Sequence, residues 1–174
     1  MQHLTRYELY SLLREAKAHS ERDWLMFLVS YWHGLRVTEL ITLRASNFTE
    51  NEIIVQRIKG SMKTQQPLMR HPDALFNEYD ALKARAAAAG NGRLFPITRN
   101  QVWRLIQKYG TAAGIAHHKL HPHVLKHTIA MHSIREAGIE MVRQHLGHRN
   151  LSSTGAYLRV SDEQASNAVF KAAA

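Results

Sequence analysis

The sequence predicts a mainly α-helical domain carrying one small antiparallel β-sheet. Apolar residues recur at helical spacing behind Ser and Thr caps along most of the chain, and one β-branched run, residues 53–55, stands between turn signals. The length of 174 residues fits one ordinary domain over 1–174, long enough to bury about 68–70% of the surface its unfolded form exposes. No internal repeat, low-complexity linker or domain boundary interrupts it.

Each element follows from local signals. Thr5 with Glu8 forms a capping box ahead of Leu9, Leu12 and Leu13, and Ser20 with Asp23 opens a second helix expected to run to Gly34. The stretch NFTENEIIVQRIKGSMKTQQPL has its β-branched run, a Lys-Gly turn and a return closed by Pro67, so it predicts a hairpin or a three-stranded sheet. A helix is expected from Pro72 to Ala89, ended by Gly90, and another, capped by Thr98 with Gln101, to about Ala113. Pro122 starts the helix bearing His123 and Lys126, Gly138 stops it, and a short amphipathic segment over 139–146 ends at Gly147. Ser152 or Ser153 then caps the turn bearing Tyr157, and residues 161–174 read as a tail helix.

Composition narrows the partners. The net charge of +9 comes from 23 Lys and Arg against 14 Asp and Glu, spread over the whole chain, and points to a polyanion. The absence of cysteine excludes a thiol nucleophile, a Cys-ligated zinc site and a disulfide framework, and fits a reducing compartment such as the cytoplasm. No stretch approaches the roughly 18 apolar residues of a membrane span, and the first residues have no apolar secretion core, so no membrane partner is expected.

The candidate chemistry lies mostly in the last third. His123 and Lys126 stand three apart on one helix, so their side chains share a face and can converge on a small anion; taken alone, the pair fits a solvated helix face better. Arg36 follows a helix-ending glycine at the start of the next helix, where backbone N–H groups favour phosphate. His148 lies in Leu-Gly-His, and Tyr157 stands nine residues on. Two histidines, a cation and a phenol in a basic chain suggest chemistry on a phosphodiester.

Together, Gly-Leu-Arg-x-x-Glu-Leu at 34–40, the Lys-Gly turn, His-Pro-His-x-Leu-Lys-His at 121–127, Leu-Gly-His and the tyrosine nine residues later resemble the tyrosine recombinases, or phage-type integrases. The resemblance runs from about residue 4 to about 168. It implies that family's catalytic-domain fold, without the N-terminal domain that encircles DNA. RIKGSMKTQQPL is similar to the short fimbrial phase-variation invertases, and a piece of a longer integrase reads the same way.

The resemblance implies roles residue by residue. Tyr157 is the nucleophile that attacks the scissile phosphate, giving a 3′-phosphotyrosyl link and a free 5′-hydroxyl. A phenol with pKa near 10 becomes a nucleophile with modest help and holds the phosphate in an ester a DNA hydroxyl can displace, so religation needs no ATP. Arg36, Lys126 and His148 cradle the charge of the transition state, without a metal or other cofactor. Lys59 resembles the general acid that protonates the leaving 5′-oxygen, with Lys63 in the same loop as its rival. His123 hydrogen-bonds the phosphate or helps to deprotonate Tyr157. Glu39 supports Arg36 by pairing, and His121 and His127 read as structural.

One position departs from the family: Lys126 stands where His-x-x-Arg is usual. Arginine's planar fork binds two phosphate oxygens, whereas lysine is a point charge, so the change keeps charge and loosens geometry. The implied function is site-specific recombination of double-stranded DNA (integration, excision or inversion) in a bacterial or phage-infected cell. Type IB topoisomerase-like relaxation and a non-catalytic DNA-binding relative are the alternatives. The family's usual assembly implies a homotetramer in the synapse, with the 161–174 tail exchanged between protomers.

Overall fold

The computed structural model describes residues 2–58, 60–150, 152–155, 157 and 171. Its order is α1 (Arg6–His19), α2 (Glu21–Trp32), α3 (Val37–Thr42), β1 (Glu52–Val55), β2 (Thr64–Pro67), α4 (Tyr79–Ala89), α5 (Arg99–Ala112), α6 (Val124–Leu146) and α7 (Ser152–Gly155), with short 3-10 turns at Ala45–Asn47 and His117–Lys119. Helices dominate, and β1 and β2 make a two-stranded antiparallel sheet pairing Ile53 with Gln66 and Val55 with Thr64. Of the two sheet sizes expected, the hairpin is the one observed.

The helix starts follow their caps. The Thr5 hydroxyl accepts from the Glu8 amide at 3.1 Å, and the Glu8 carboxylate accepts from the Thr5 amide at 2.7 Å. Ser20 caps α2 through the Asp23 amide, and Thr98 and Gln101 form a second capping box on α5. Residues 23–31 of α2 are all buried, so this helix is the axis of the core, against which α1 and α6 pack. Trp24, Phe27 and Phe95 are among the largest fully buried side chains; truncating one such aromatic costs about 3–5 kcal/mol.

Two boundaries differ from expectation. Helix α2 ends at Trp32, two residues early, because Gly34 takes φ 56° and turns the chain toward α3. Helix α4 starts at Tyr79 and not at Pro72. Over 72–78 the side chains compete for the backbone: Asp73 accepts from the Leu75 amide at 2.9 Å and Asn77 from the Tyr79 amide at 3.2 Å. The indole N–H groups of Trp24 and Trp32, both on α2, donate to the carbonyls of Leu75 and Phe76. In α6 the break falls at Gly138 as expected, with helical conformation resuming beyond it.

Arg57, just past β1, ties the elements around the site together. Alternation along the strand turns Ile53, Val55 and Arg57 inward, and the guanidinium is buried. Its Nε donates to Thr64 Oγ1; Nη1 donates to the Gly34 carbonyl and Glu39 Oε2; Nη2 donates to the carbonyls of His33 and His145. Every donor of the fork is thereby satisfied. One side chain thus joins the α2–α3 turn, α3, β2 and the end of α6.

Candidate active site

Arg36 is the N-cap residue of α3, where the chain turns out of Gly34. A β-carbon on Gly34 would lie 2.4 Å from Leu146 Cδ2, so only glycine lets this turn approach α6. The Glu39 carboxylate, buried one turn on, accepts from the Arg36 amide at 2.8 Å and from its Nη1 at 2.9 Å. It accepts from Arg57 and from the Ile58 amide as well. Burial alone pushes the Glu39 pKa up, but the Arg36 amide, the charges of Arg57 and Lys126 and the Arg36 guanidinium outweigh it and hold it below the ordinary value. Glu39 therefore pairs, as expected, and fixes a partly exposed arginine at a helix start.

Lys126 points inward. Its Nζ donates to the Gly34 carbonyl at 2.8 Å and the Leu146 carbonyl at 3.3 Å, and the side chain is buried, so it does not share an open helix face with the exposed His123. Burial, with the charge of Arg57 next, pushes its pKa down to about 7. Leu-Gly-His closes α6 beside it: Leu146 is buried, Gly147 ends the helix in left-handed conformation, and His148 Nδ1 lies 3.0 Å from the buried Thr154 hydroxyl. A β-carbon on Gly147 would stand 2.8 Å from both Met62 O and Arg57 Cγ. This close approach lets the Met62 amide bond the Gly147 carbonyl, docking the β1–β2 loop on the end of α6. Burial, then the charges of Lys126, Arg36 and Arg57, push the His148 pKa down to about 4.

Tyr157 is buried, and its hydroxyl lies 3.0 Å from Nδ1 of His127. This contact gives His127, read as structural, a direct partner in the tyrosine. His121 and His123 surround it, with ring centroids 5.8 and 6.3 Å from that of His127. Burial raises the Tyr157 pKa to about 12, with the Arg36 charge opposing; burial and the charges of His121, His123 and Lys126 lower that of His127 to about 4. Burial, then neighbouring charges, lowers that of His123 as well. Near neutral pH the imidazoles of His127 and His148 are uncharged, and they hydrogen-bond the hydroxyls of Tyr157 and Thr154.

Lys59 lies outside the described residues, as does the 161–174 tail apart from Lys171. Lys63 is exposed on the same loop as Lys59. The structure therefore brings Arg36, Lys126, His148, Tyr157 and His123 to the place where the two ends of the broken helix α6 meet, with Lys126 bonded to the Leu146 carbonyl, and adds two residues that sequence reasoning missed. Arg57 was signalled by the strand alternation that buries Ile53 and Val55. His127 had no signal beyond its place one turn after His123. A cleft of about 400 Å³ lined by Arg99, Asn100, Trp103 and His123 opens beside the cluster.

The profile of the Phage integrase family matches residues 2–164, nearly the whole chain. The chain belongs to that family. A tyrosine recombinase of Pseudothermotoga lettingae is 33% identical over 168 residues, covering 94% of this chain and 58% of the relative's own length. The type 1 fimbriae regulatory protein FimB of Escherichia coli is 28% identical over 163 residues, covering 87% of this chain and 80% of FimB. Among solved structures, the XerH site-specific recombinase superposes with a TM-score of 0.71 at 17% identity, over 97% of this chain and 54% of XerH. That likeness establishes the tyrosine recombinase catalytic-domain fold for this integrase-family chain. Among the described residues, no helix is long and apolar enough to cross a membrane.

Proposed function

We propose that this protein is a site-specific recombinase that cleaves and rejoins double-stranded DNA through a 3′-phosphotyrosyl intermediate. The observation that carries the reading is positional: Lys126 bonds the carbonyls of Gly34 and Leu146, so one buried cation holds the turn bearing Arg36 against the helix end bearing His148. A phosphate drawn to Arg36 would meet a phenol, a cation and two imidazoles. The net charge of +9 and the XerH structure, solved with its difH DNA substrate, favour DNA as the partner.

In this reading the Tyr157 segment moves outward on DNA binding, because a buried phenol cannot reach a backbone phosphate. Tyr157 attacks; Arg36 and the remaining donor of Lys126 take up charge on the non-bridging oxygens. Thr154 fixes the His148 ring so that its Nε2 donates to the same oxygens. Lys59 in the β1–β2 loop protonates the 5′-oxygen, and the docking of that loop on Gly147 sets its approach. The reaction is completed by several copies on paired sites, four in the fullest form, with the 161–174 tail of one protomer docked on its neighbour.

The test is direct. On a nicked duplex selected from a random-sequence pool for binding to this protein, the wild type is expected to form a covalent DNA adduct resistant to detergent. Tyr157→Phe is expected to bind equally well and form none. The inward turn of Lys126 favours one alternative, a DNA-binding relative without cleavage, and tight sequence-specific binding with no wild-type adduct would establish it.

A further inference from the structure

We propose that His132 is a positioning residue: it ties the segment ahead of α1 and the end of α2 to α6, and so sets where the ammonium of Lys126 points. The proposal rests on the recombinase reading above, in which Lys126 meets the phosphate. Leu4, two residues before α1, is fully buried, and α6 takes both of its backbone groups. Its amide donates to Thr128 Oγ1 at 3.0 Å, and its carbonyl lies 2.9 Å from Nε2 of His132, one turn further along. The Tyr31 hydroxyl, near the end of α2, lies 3.1 Å from the other ring nitrogen, Nδ1. A carbonyl only accepts, so Nε2 carries the proton, Nδ1 offers its lone pair, and Tyr31 donates to it. Burial lowers the His132 pKa, with the Leu4 carbonyl opposing, and raises that of Tyr31 to about 12, so both groups keep these roles near neutral pH.

One ring thus joins three segments by directed bonds. Thr128 and His132 stand four apart, so the clasp holds one face of α6 over a full turn. Lys126 lies on the same stretch of helix, ahead of the break at Gly138, and its Nζ crosses to the Gly34 carbonyl in the turn that follows α2. The end of α2 and the first half of α6 are therefore pinned together twice, through Tyr31 with His132 and through Gly34 with Lys126. The buried Ile129 and Ala130 between them supply contact without direction. Two ammonium N–H groups are fixed on the carbonyls of Gly34 and Leu146, and tetrahedral geometry then fixes the third. A slide or rotation of α6 against α2 redirects that third N–H. Misplacement by about 1 Å, caused far from the reacting atoms, can cost about a hundredfold in rate.

Two measurements test the proposal. His132 is half-buried and lines, with Tyr31 and Phe76, a cavity of about 270 Å³, so water can replace a truncated ring and the fold is expected to persist. The Lys126 ammonium is followed by nuclear magnetic resonance in free protein labelled at lysine, its signal identified by its loss in Lys126→Arg. His132→Ala is expected to move its titration midpoint upward, because a loosened α6 admits water and burial is the main cause of the depression. His132→Gln, which keeps an N–H for the Leu4 carbonyl, is expected to leave the midpoint in place. In single-turnover cleavage of the selected nicked duplex, His132→Ala is expected to slow adduct formation about tenfold or more with DNA affinity unchanged, and His132→Gln to recover most of that rate. Tyr31→Phe, which removes one hydroxyl from the clasp, is expected to fall between them. A wild-type cleavage rate in His132→Ala would overturn the proposal. So would a Lys126 midpoint that does not move, since His132 would then be a local support for Leu4. A wild type that forms no adduct would fail the recombinase reading and take the catalytic side of this proposal with it, whereas an unmoved midpoint beside normal wild-type cleavage would fail this proposal alone.

Discussion

The residue that departs from its family's pattern is also the one the fold treats least like a surface cation. The ammonium of Lys126 offers three N–H donors, and two are committed to the carbonyls of Gly34 and Leu146, which leaves one for a phosphate oxygen. Burial and the charge of Arg57, with Arg36 adding and Glu39 opposing, place its pKa at about 7. The cationic form therefore predominates below pH 7 and is lost above it. Cleavage at subsaturating DNA is expected to fall as pH rises through about 7. At saturating DNA the fall is expected at higher pH, because bound phosphate stabilises the ammonium. Lys126→Arg, cationic throughout, is expected to lose that descending limb; a limb that survives in Lys126→Arg would belong to another group.

At the scale of elements, the site is held by close approaches between segments far apart in the chain, and Gly147 is the most constrained of them. Alanine there meets two penalties: left-handed backbone at φ 69°, and a β-carbon 2.8 Å from the Met62 carbonyl oxygen and from Arg57 Cγ. Gly114, at φ 72° with nothing within 4 Å of a β-carbon, carries the first penalty alone. Gly114→Ala is expected to cost about 1–2 kcal/mol. Gly147→Ala is expected to cost a further 1–3 kcal/mol or so from the clash, both read from urea unfolding, and to slow cleavage because the loop bearing Lys59 is displaced. The same contrast explains what could be read in advance. The boxes at Thr5 and Thr98, the hairpin and the break at Gly138 are written in neighbouring residues, and the sequence predicts each. The start of α4 is set by Trp24 and Trp32, indoles some fifty residues earlier on α2. Arg57 looked like one more hairpin cation because its acceptors, three carbonyls, a carboxylate and a hydroxyl, come from the α2–α3 turn, α3, β2 and the end of α6. The contact of His127 with Tyr157 could not be read in advance because the two lie 30 residues apart. Motif residues were legible, and the groups that hold them were not.

For the whole molecule, the concentration of enclosed neutral histidine where the two ends of α6 meet sets a limit on acid stability. Burial first, then nearby positive charge, lowers the pKa of His127, His145 and His148 to about 4, although the backbone bond of His145 to the Trp32 carbonyl works the other way. In the unfolded chain each ring titrates near 6.5. Between those two values the unfolded state binds protons that the folded state refuses, so stability rises with pH across the window and is lost as pH falls from about 6.5 toward 4. Above pH 7 all three rings are neutral in both states and contribute no slope. For His148, the most buried of the three, the loss is about 1.4 kcal/mol per pH unit inside the window; His127 and His145 add less, because solvent still screens part of each ring. The urea midpoint is therefore expected to hold between pH 7 and 8 and to drop steeply from pH 6 to 5. His145→Gln keeps an N–H for the Trp32 carbonyl and cannot titrate, so it is expected to flatten that drop while losing some stability at pH 8. A midpoint that stays level from pH 7 to 5 in the wild type would mean that these rings take up protons in the folded protein, with the cluster around Tyr157 more open than its burial indicates.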